Sequence, residues 1–183
     1  MIMKQVAVIG SAGSNNQQPN LAESVGALIA QEGYSLICGG LQGVMEDACR
    51  GFKSVVSRGV TVGILPGQDP AAANDWVDIV IPTGLDVSRN GLVVASAKVV
   101  IAIGGGAGTL SELALASQLG RAMILMHGGG GWTDRLEADD YLDDRASTPI
   151  RHAYSIDECR QILRELMESD KTYGAINSGH LQR

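Results

Sequence analysis

No run of lysine or arginine occurs in this sequence. Its 14 basic residues are scattered and outnumbered by 20 acidic ones, leaving a net charge of −6. General nucleic-acid binding needs a basic stripe along one face, so no nucleic acid is expected as a partner. Cysteine is scarce: Cys38, Cys49 and Cys159 are far apart and form no C-x-x-C pair. That excludes a disulfide scaffold and predicts reduced thiols in a cytoplasmic protein, with Cys38 and Cys49 as small core residues. Long hydrophobic runs are missing too. The first, "VAVIG" at 6–10, is too short for a signal-peptide core and far too short for a membrane span, so no membrane partner is expected.

Several chemistry-bearing patterns are also absent. There is no G-x-x-x-x-G-K-[ST] phosphate loop and no G-x-S-x-G, so "HGGGG" at 127–131 has no nucleophile elbow to serve. His127, His152 and His180 are isolated in sequence, and no metal site is expected. The four lysines lie in no context that suggests pyridoxal phosphate chemistry. A dinucleotide fingerprint fails as well. Thr109 replaces its third glycine, and the following strand ends at His127 rather than at an acid.

What the sequence does have is glycine, 24 residues of it, about twice the usual share. The glycines cluster behind apolar runs at 6–10, 34–40, 60–67, 78–84, 98–106 and 121–131. Unbroken apolar runs without alternation predict strands buried on both faces of a parallel sheet. Helical spacing fills the gaps, at 20–32, 43–57, 86–97, 109–119 and 155–168. The fold class is therefore α/β: a single-domain, doubly wound, Rossmann-like parallel sheet of about six or seven strands flanked by helices. The domain is expected over 1–170, with an acidic surface excursion at 133–147 and a loose tail at 171–183.

Ligands of open α/β sheets sit at the carboxyl ends of the strands, where "GSAGSNN", "GGLQG", "LPG" and "GGGAGT" fall. A glycine turn opening a helix presents free N–H groups and the positive end of a dipole, which together favour phosphate. "GGGAGT" at 104–109 has that form. Glu112 then admits two readings. Thr109-Leu110-Ser111-Glu112 fits a capping box, in which Glu112 would only close the helix start; alternatively, it faces the ligand. Arg89, at the start of helix 86–97, is expected on the edge away from the ligand by ordinary topology, as a solvated charge.

"SRN" at 88–90 followed by "GGGAGTLSE" at 104–112 resembles the LOG-like, or "lysine decarboxylase-like", Rossmann families. Their paired motif is Arg-Lys and then P-G-G-x-G-T-x-x-E. Arg89 matches the arginine, and Gly105, Gly106, Gly108, Thr109 and Glu112 match the second half. Asn90 replaces the lysine and Gly104 the proline, a form more similar to the molybdenum-cofactor-carrier-like branch. "GGLQGVME" at 39–46, "GSAGSN" at 10–15 and "VTVGILPG" at 60–67 extend the likeness over about residues 5–130.

The resemblance implies a phosphate-bearing small molecule as partner, with molybdenum cofactor or a nucleoside monophosphate as the bound ligand. Binding residues would be Gly10, Ser11, Gly13, Ser14, Gly39, Gly40, Gly43, Met45, Pro66, Asn90 and Gly104, Gly105, Gly106, Ala107, Gly108 and Thr109. It also implies a homo-oligomer, a dimer or tetramer. As a carrier, the protein would hold the cofactor and Arg89 would add a charged contact. As a LOG-like nucleoside 5′-monophosphate phosphoribohydrolase, it would use Glu112 and Arg89 as catalytic residues to release a base and ribose 5-phosphate. Lysine decarboxylation is not expected.

Overall fold

The computed structural model describes residues 4–13, 19–137, 141–142 and 148–169. Ser14, His180, the tail 171–183 and part of the acidic stretch 133–147 lie outside the described residues. Seven strands are described: β1 Gln5–Gly10, β2 Ser35–Cys38, β3 Thr61–Leu65, β4 Ile79–Pro82, β5 Val99–Ile103, β6 Ala122–Met126 and β7 Ile150–Ala153. The helices are α1 Pro19–Gln31, α2 Val44–Lys53, α3 Asn90–Ala95, α4 Ala107–Gln118, α5 Gly131–Arg135 and α6 Ile156–Glu168, with a 3-10 turn at Asp86–Arg89 leading into α3. One sheet holds the strands in the order β4-β3-β2-β1-β5-β6-β7, and every neighbouring pair is parallel. The fold is the Rossmann-like α/β architecture that the alternation of runs implies.

Successive strand side chains point to opposite faces, and each face has its own core. Val6 and Val8 of β1 join Ile101 and Ile103 of β5 beneath α1, α2 and α6. Ala7 and Ile9 join Val100 and Ala102 beneath α3 and α4. All five residues of β5 are wholly buried, because the strand is central and covered on both sides. Helices α1 and α2 pack unusually close: a Cβ on Gly26 would lie 1.8 Å from the Ala48 carbonyl oxygen, and one on Gly51 would lie 2.0 Å from the Glu23 carbonyl oxygen. Cys38 and Cys49 are buried in the core, with their sulfurs 3.6 Å apart.

Three expectations need correction. β7 lies in "IRHA", outside the six apolar runs; only Ile150 and Ala153 are buried there, so an edge strand carries polar residues a central one could not. β4 belongs to an apolar run read as buried on both faces, yet Ile79 and Ile81 are exposed. It too is an edge strand, and the short α3 leaves its face open. The helix expected over 86–97 is a 3-10 turn followed by six α-helical residues.

Candidate functional site

Strands β1 and β5 end side by side, with Gly10 opposite Ile103. From there the chain turns to α1 on one face of the sheet and to α4 on the other. This reversal opens a crevice at the carboxyl edge, where doubly wound sheets hold ligands. A cleft of about 370 Å³ occupies it.

The cleft is lined by Gly10 and Ser11 after β1, Gly39 after β2, Met45 of α2, Pro66 after β3, Arg89 and Asn90 at the start of α3, and Gly106, Gly108, Thr109 and Glu112 of α4. All eleven are among the expected site residues. Gly13, Gly40, Gly43, Gly104, Gly105 and Ala107 do not line it. Some of these shape the walls instead. The Gly104 N–H donates to Thr133 Oγ1, and the Gly105 carbonyl accepts from the Trp132 N–H, so α5 holds the turn from behind. Gly105 has φ +96°, and a Cβ there would meet the Thr109 side chain at 2.3 Å; only glycine makes this turn. Val8, Ile9, Ala12, Asp86 and Val87 also line the cleft and were not anticipated. Asp86 and Val87 had a readable signal: they lie three and two residues before Arg89 in a crossover that starts at the carboxyl edge.

Helix α4 begins at Ala107, two residues before the predicted start, with Gly106 as its cap and no side-chain capping bond. The Leu110 N–H donates to the Gly106 carbonyl, and the amides before it in the first turn have no intrahelical acceptor. A Cβ at Gly106 or Gly108 would meet nothing within 4 Å, so this end is open to a guest. The capping box does not form. Thr109 and Glu112 both lie inside the helix and are buried.

Arg89 is where the topological expectation fails. A crossover helix after a parallel strand starts at the carboxyl edge and runs back, so its N-terminal end is the ligand end. The turn Asp86–Arg89 follows β4 there, and Arg89 is buried, with a relative exposure of 9%. Its Nη1 lies 3.4 Å from Glu112 Oε1. That is long beside the ~2.7–2.9 Å of a strong charge-assisted bond. Burial therefore outweighs the neighbouring cation and pushes the Glu112 carboxyl up to about 7. Arg89 Nε is buried and has no hydrogen-bond partner among the described residues. A Cβ on Gly39 would lie 2.5 Å from Arg89 Nη2 and 2.7 Å from Met45 Sδ, so glycine there makes room for the guanidinium. Asn90, in the place of the motif's lysine, donates through Nδ2 to Ser111 Oγ and ties α3 to α4.

Two histidines read as isolated are neighbours. His127 Nε2 and His152 Nδ1 are 2.8 Å apart, and the His127 ring stacks on Tyr154. β6 and β7 are adjacent, which brings them together. Burial and the nearby His152 hold His127 below the usual histidine range. Among the described residues, no group of three or more His, Cys, Asp or Glu is placed to hold a metal. No helix there is long and apolar enough to cross a membrane.

The sequence model of the SLOG cluster4 family matches residues 3–159. The X-ray structure of TM1055 is similar at 35% identity and a TM-score of 0.82, over 89% of this chain and 99% of that one. A molybdenum cofactor binding protein from the phototrophic bacterium Rippkaea orientalis is similar at 35% identity and a TM-score of 0.76, over 91% and 99%. The molybdenum cofactor carrier protein of Chlamydomonas reinhardtii is similar at 28% identity and a TM-score of 0.74, over 91% and 99%.

Proposed function

The chain belongs to the SLOG cluster4 family, and on that premise we infer that it binds a phosphate-bearing pterin or nucleotide in the cleft between β1 and α4, with molybdenum cofactor as the sharpest candidate. The observation that carries this reading is Arg89. A buried guanidinium with an unpartnered Nε is costly unless something completes its hydrogen bonds, and an anion in the cleft would do so. The open first turn of α4 points the same way, since its unpaired N–H groups and dipole favour phosphate. The donor set is main-chain amides plus one arginine, which suits an oxyanion group. The similarity to a cofactor binding protein and to a carrier protein supports the pterin choice.

Equilibrium dialysis against molybdenum cofactor released from a molybdoenzyme tests this, with retained pterin measured by fluorescence. Wild-type protein should retain the pterin and Arg89→Ala should not. Equal retention by both would remove the cleft from the account.

One observation favours a second reading, a nucleoside 5′-monophosphate N-glycosidase. A carboxyl pushed up to about 7 in a buried cleft is poised for proton transfer near neutral pH. Glu112 would then activate water or stabilise an oxocarbenium ion, with Arg89 orienting the substrate. Asn90 in place of the motif's lysine, with its amide engaged by Ser111, weighs against this reading. Incubation with AMP and an N6-substituted AMP decides it. Base release that disappears in Glu112→Ala establishes the glycosidase; absence of any base release retires it.

A further inference from the structure

The far rim of the cleft carries an acid. Asp86 lines the cleft and is exposed to it, three residues before the buried arginine. It is the only non-glycine among the described residues with positive φ, at +50°. Non-glycine residues rarely take that conformation, and aspartate is among those that tolerate it best. The backbone is held there from outside. The N–H groups of Thr83, Gly84 and Asp86 donate to the carbonyls of Leu65, Gly67 and Pro66 at 3.2, 3.0 and 3.0 Å. These bonds clamp the β4 exit to the β3 exit and fix where Asp86 stands. Among the described residues no hydrogen bond or ion pair engages its carboxylate. A clamped, unengaged acceptor therefore sits at the rim of a cleft whose other carboxyl, Glu112, already faces Arg89.

Placement adds a length. The backbone donors follow β1 and β5, and the Arg89 side chain reaches across to Glu112 of α4, whereas the backbone at Asp86 is clamped to the end of β3, two strands from β1. Two strand spacings come to about 10 Å. Pro66 and Val87 line the cleft near this end and offer apolar surface for a flat ring.

We propose that Asp86 is the specificity residue of the cleft and reads the adjacent N–H pair of a 2-amino-4-oxopyrimidine edge, the edge that guanine and pterins share. The two carboxylate oxygens accept the ring N–H and the 2-amino N–H together, while the ligand's phosphate lies at the opposite end against the first turn of α4 and Arg89. Adenine presents an acceptor beside its amino group and does not match. This assignment rests on the anion-binding reading of the cleft and narrows its ligand to 2-amino-4-oxopyrimidine phosphates.

GMP and IMP test it, because they differ only in the 2-amino group and share the phosphate. Titration calorimetry with wild-type protein should show GMP binding about 10- to 100-fold tighter than IMP, the scale of one hydrogen bond to a charged group. In Asp86→Ala the ratio should fall to about one. Asp86→Asn tolerates the same backbone and should also lose most of the preference while melting near the wild type, which separates recognition from folding. Equal binding of GMP and IMP by wild-type protein, with both lost in Arg89→Ala, overturns the role of Asp86 and leaves the anion cleft standing. Failure of wild-type protein to bind either nucleotide while it retains molybdenum cofactor in dialysis overturns the Asp86 assignment alone, and failure with all three ligands overturns both.

Discussion

Arg89 Nη1 and Glu112 Oε1 stand 3.4 Å apart, although 23 positions separate them in the chain. The pair exists because β4 and β5 deliver their following segments to the same edge of the sheet. Side-chain exposures of 11% and 9% put both groups largely out of water. Glu112 nonetheless remains hard to ionise, because one arginine at this distance does not replace the lost hydration.

Glu112 therefore imposes a pH dependence on stability. Its ordinary value of 4.5 rises to about 7 in the folded protein, so the folded state holds the proton more tightly than the unfolded state does. The site favours folding most below pH 4.5, and that contribution is lost as pH rises through about 7. The loss is on the order of 3 kcal/mol. Glu112→Gln cannot titrate and should lose less stability than wild type between about pH 4 and pH 8, as read from urea midpoints. Parallel losses in the two proteins would exclude the buried carboxyl as the source.

Arg89 should not be replaceable by lysine. The guanidinium offers several fixed donors, whereas an ammonium on a flexible stem cannot reproduce that fork. Arg89→Ala and Arg89→Lys should both weaken binding of a phosphate ligand, by about 10- to 100-fold for the alanine variant. Removing the cation should also move the Glu112 carboxyl further upward, because Arg89 is what lowers it. Calorimetry reads the first effect and a carboxyl-resolved NMR titration the second.

Gly39→Ala tests the space around the guanidinium. The new methyl would contact Arg89 Nη2 and Met45 Sδ, both far ends of side chains that can move aside. Ligand affinity should fall clearly while the melting temperature changes little. A large drop in melting temperature with unchanged affinity would mean that Gly39 serves packing rather than the cleft.

The α1–α2 contact predicts a sharper structural cost. Gly26→Ala would drive its methyl into the backbone at Ala48, which cannot yield without separating the helices. A loss of about 1–3 kcal/mol or more is expected in denaturant unfolding. Gly91→Ala is the control: nothing lies within 4 Å of the added methyl, and alanine favours the helix. It should be neutral or mildly stabilising.

Much of the fold was legible from local patterns. The runs that became β1, β2, β3, β5 and β6 are apolar because both faces of the sheet are covered there, and that condition leaves its mark on every residue. β7 escaped because an edge strand needs apolar side chains only where it touches the core, and "IRHA" has two. Local spacing left Glu112 two readings, and the capping one fails because Gly106 starts α4 earlier and carries Thr109 and Glu112 into the helix body. Arg89 misled through the direction assigned to its helix, since the residue type alone reads as a surface charge.

The order of strands and helices, and the gathering of glycines at the strand ends, follow from the sequence alone, because hydrophobic periodicity and backbone freedom are local properties. Which side chains meet was decided only by the tertiary structure. The Arg89–Glu112 contact, the His127–His152 pair and the clamped Asp86 at the rim each join segments that parallel pairing and crossover helices bring to one edge. The upward shift of Glu112 is of the same kind. It arises from water excluded by packing, a quantity that belongs to the folded arrangement rather than to any residue in the chain.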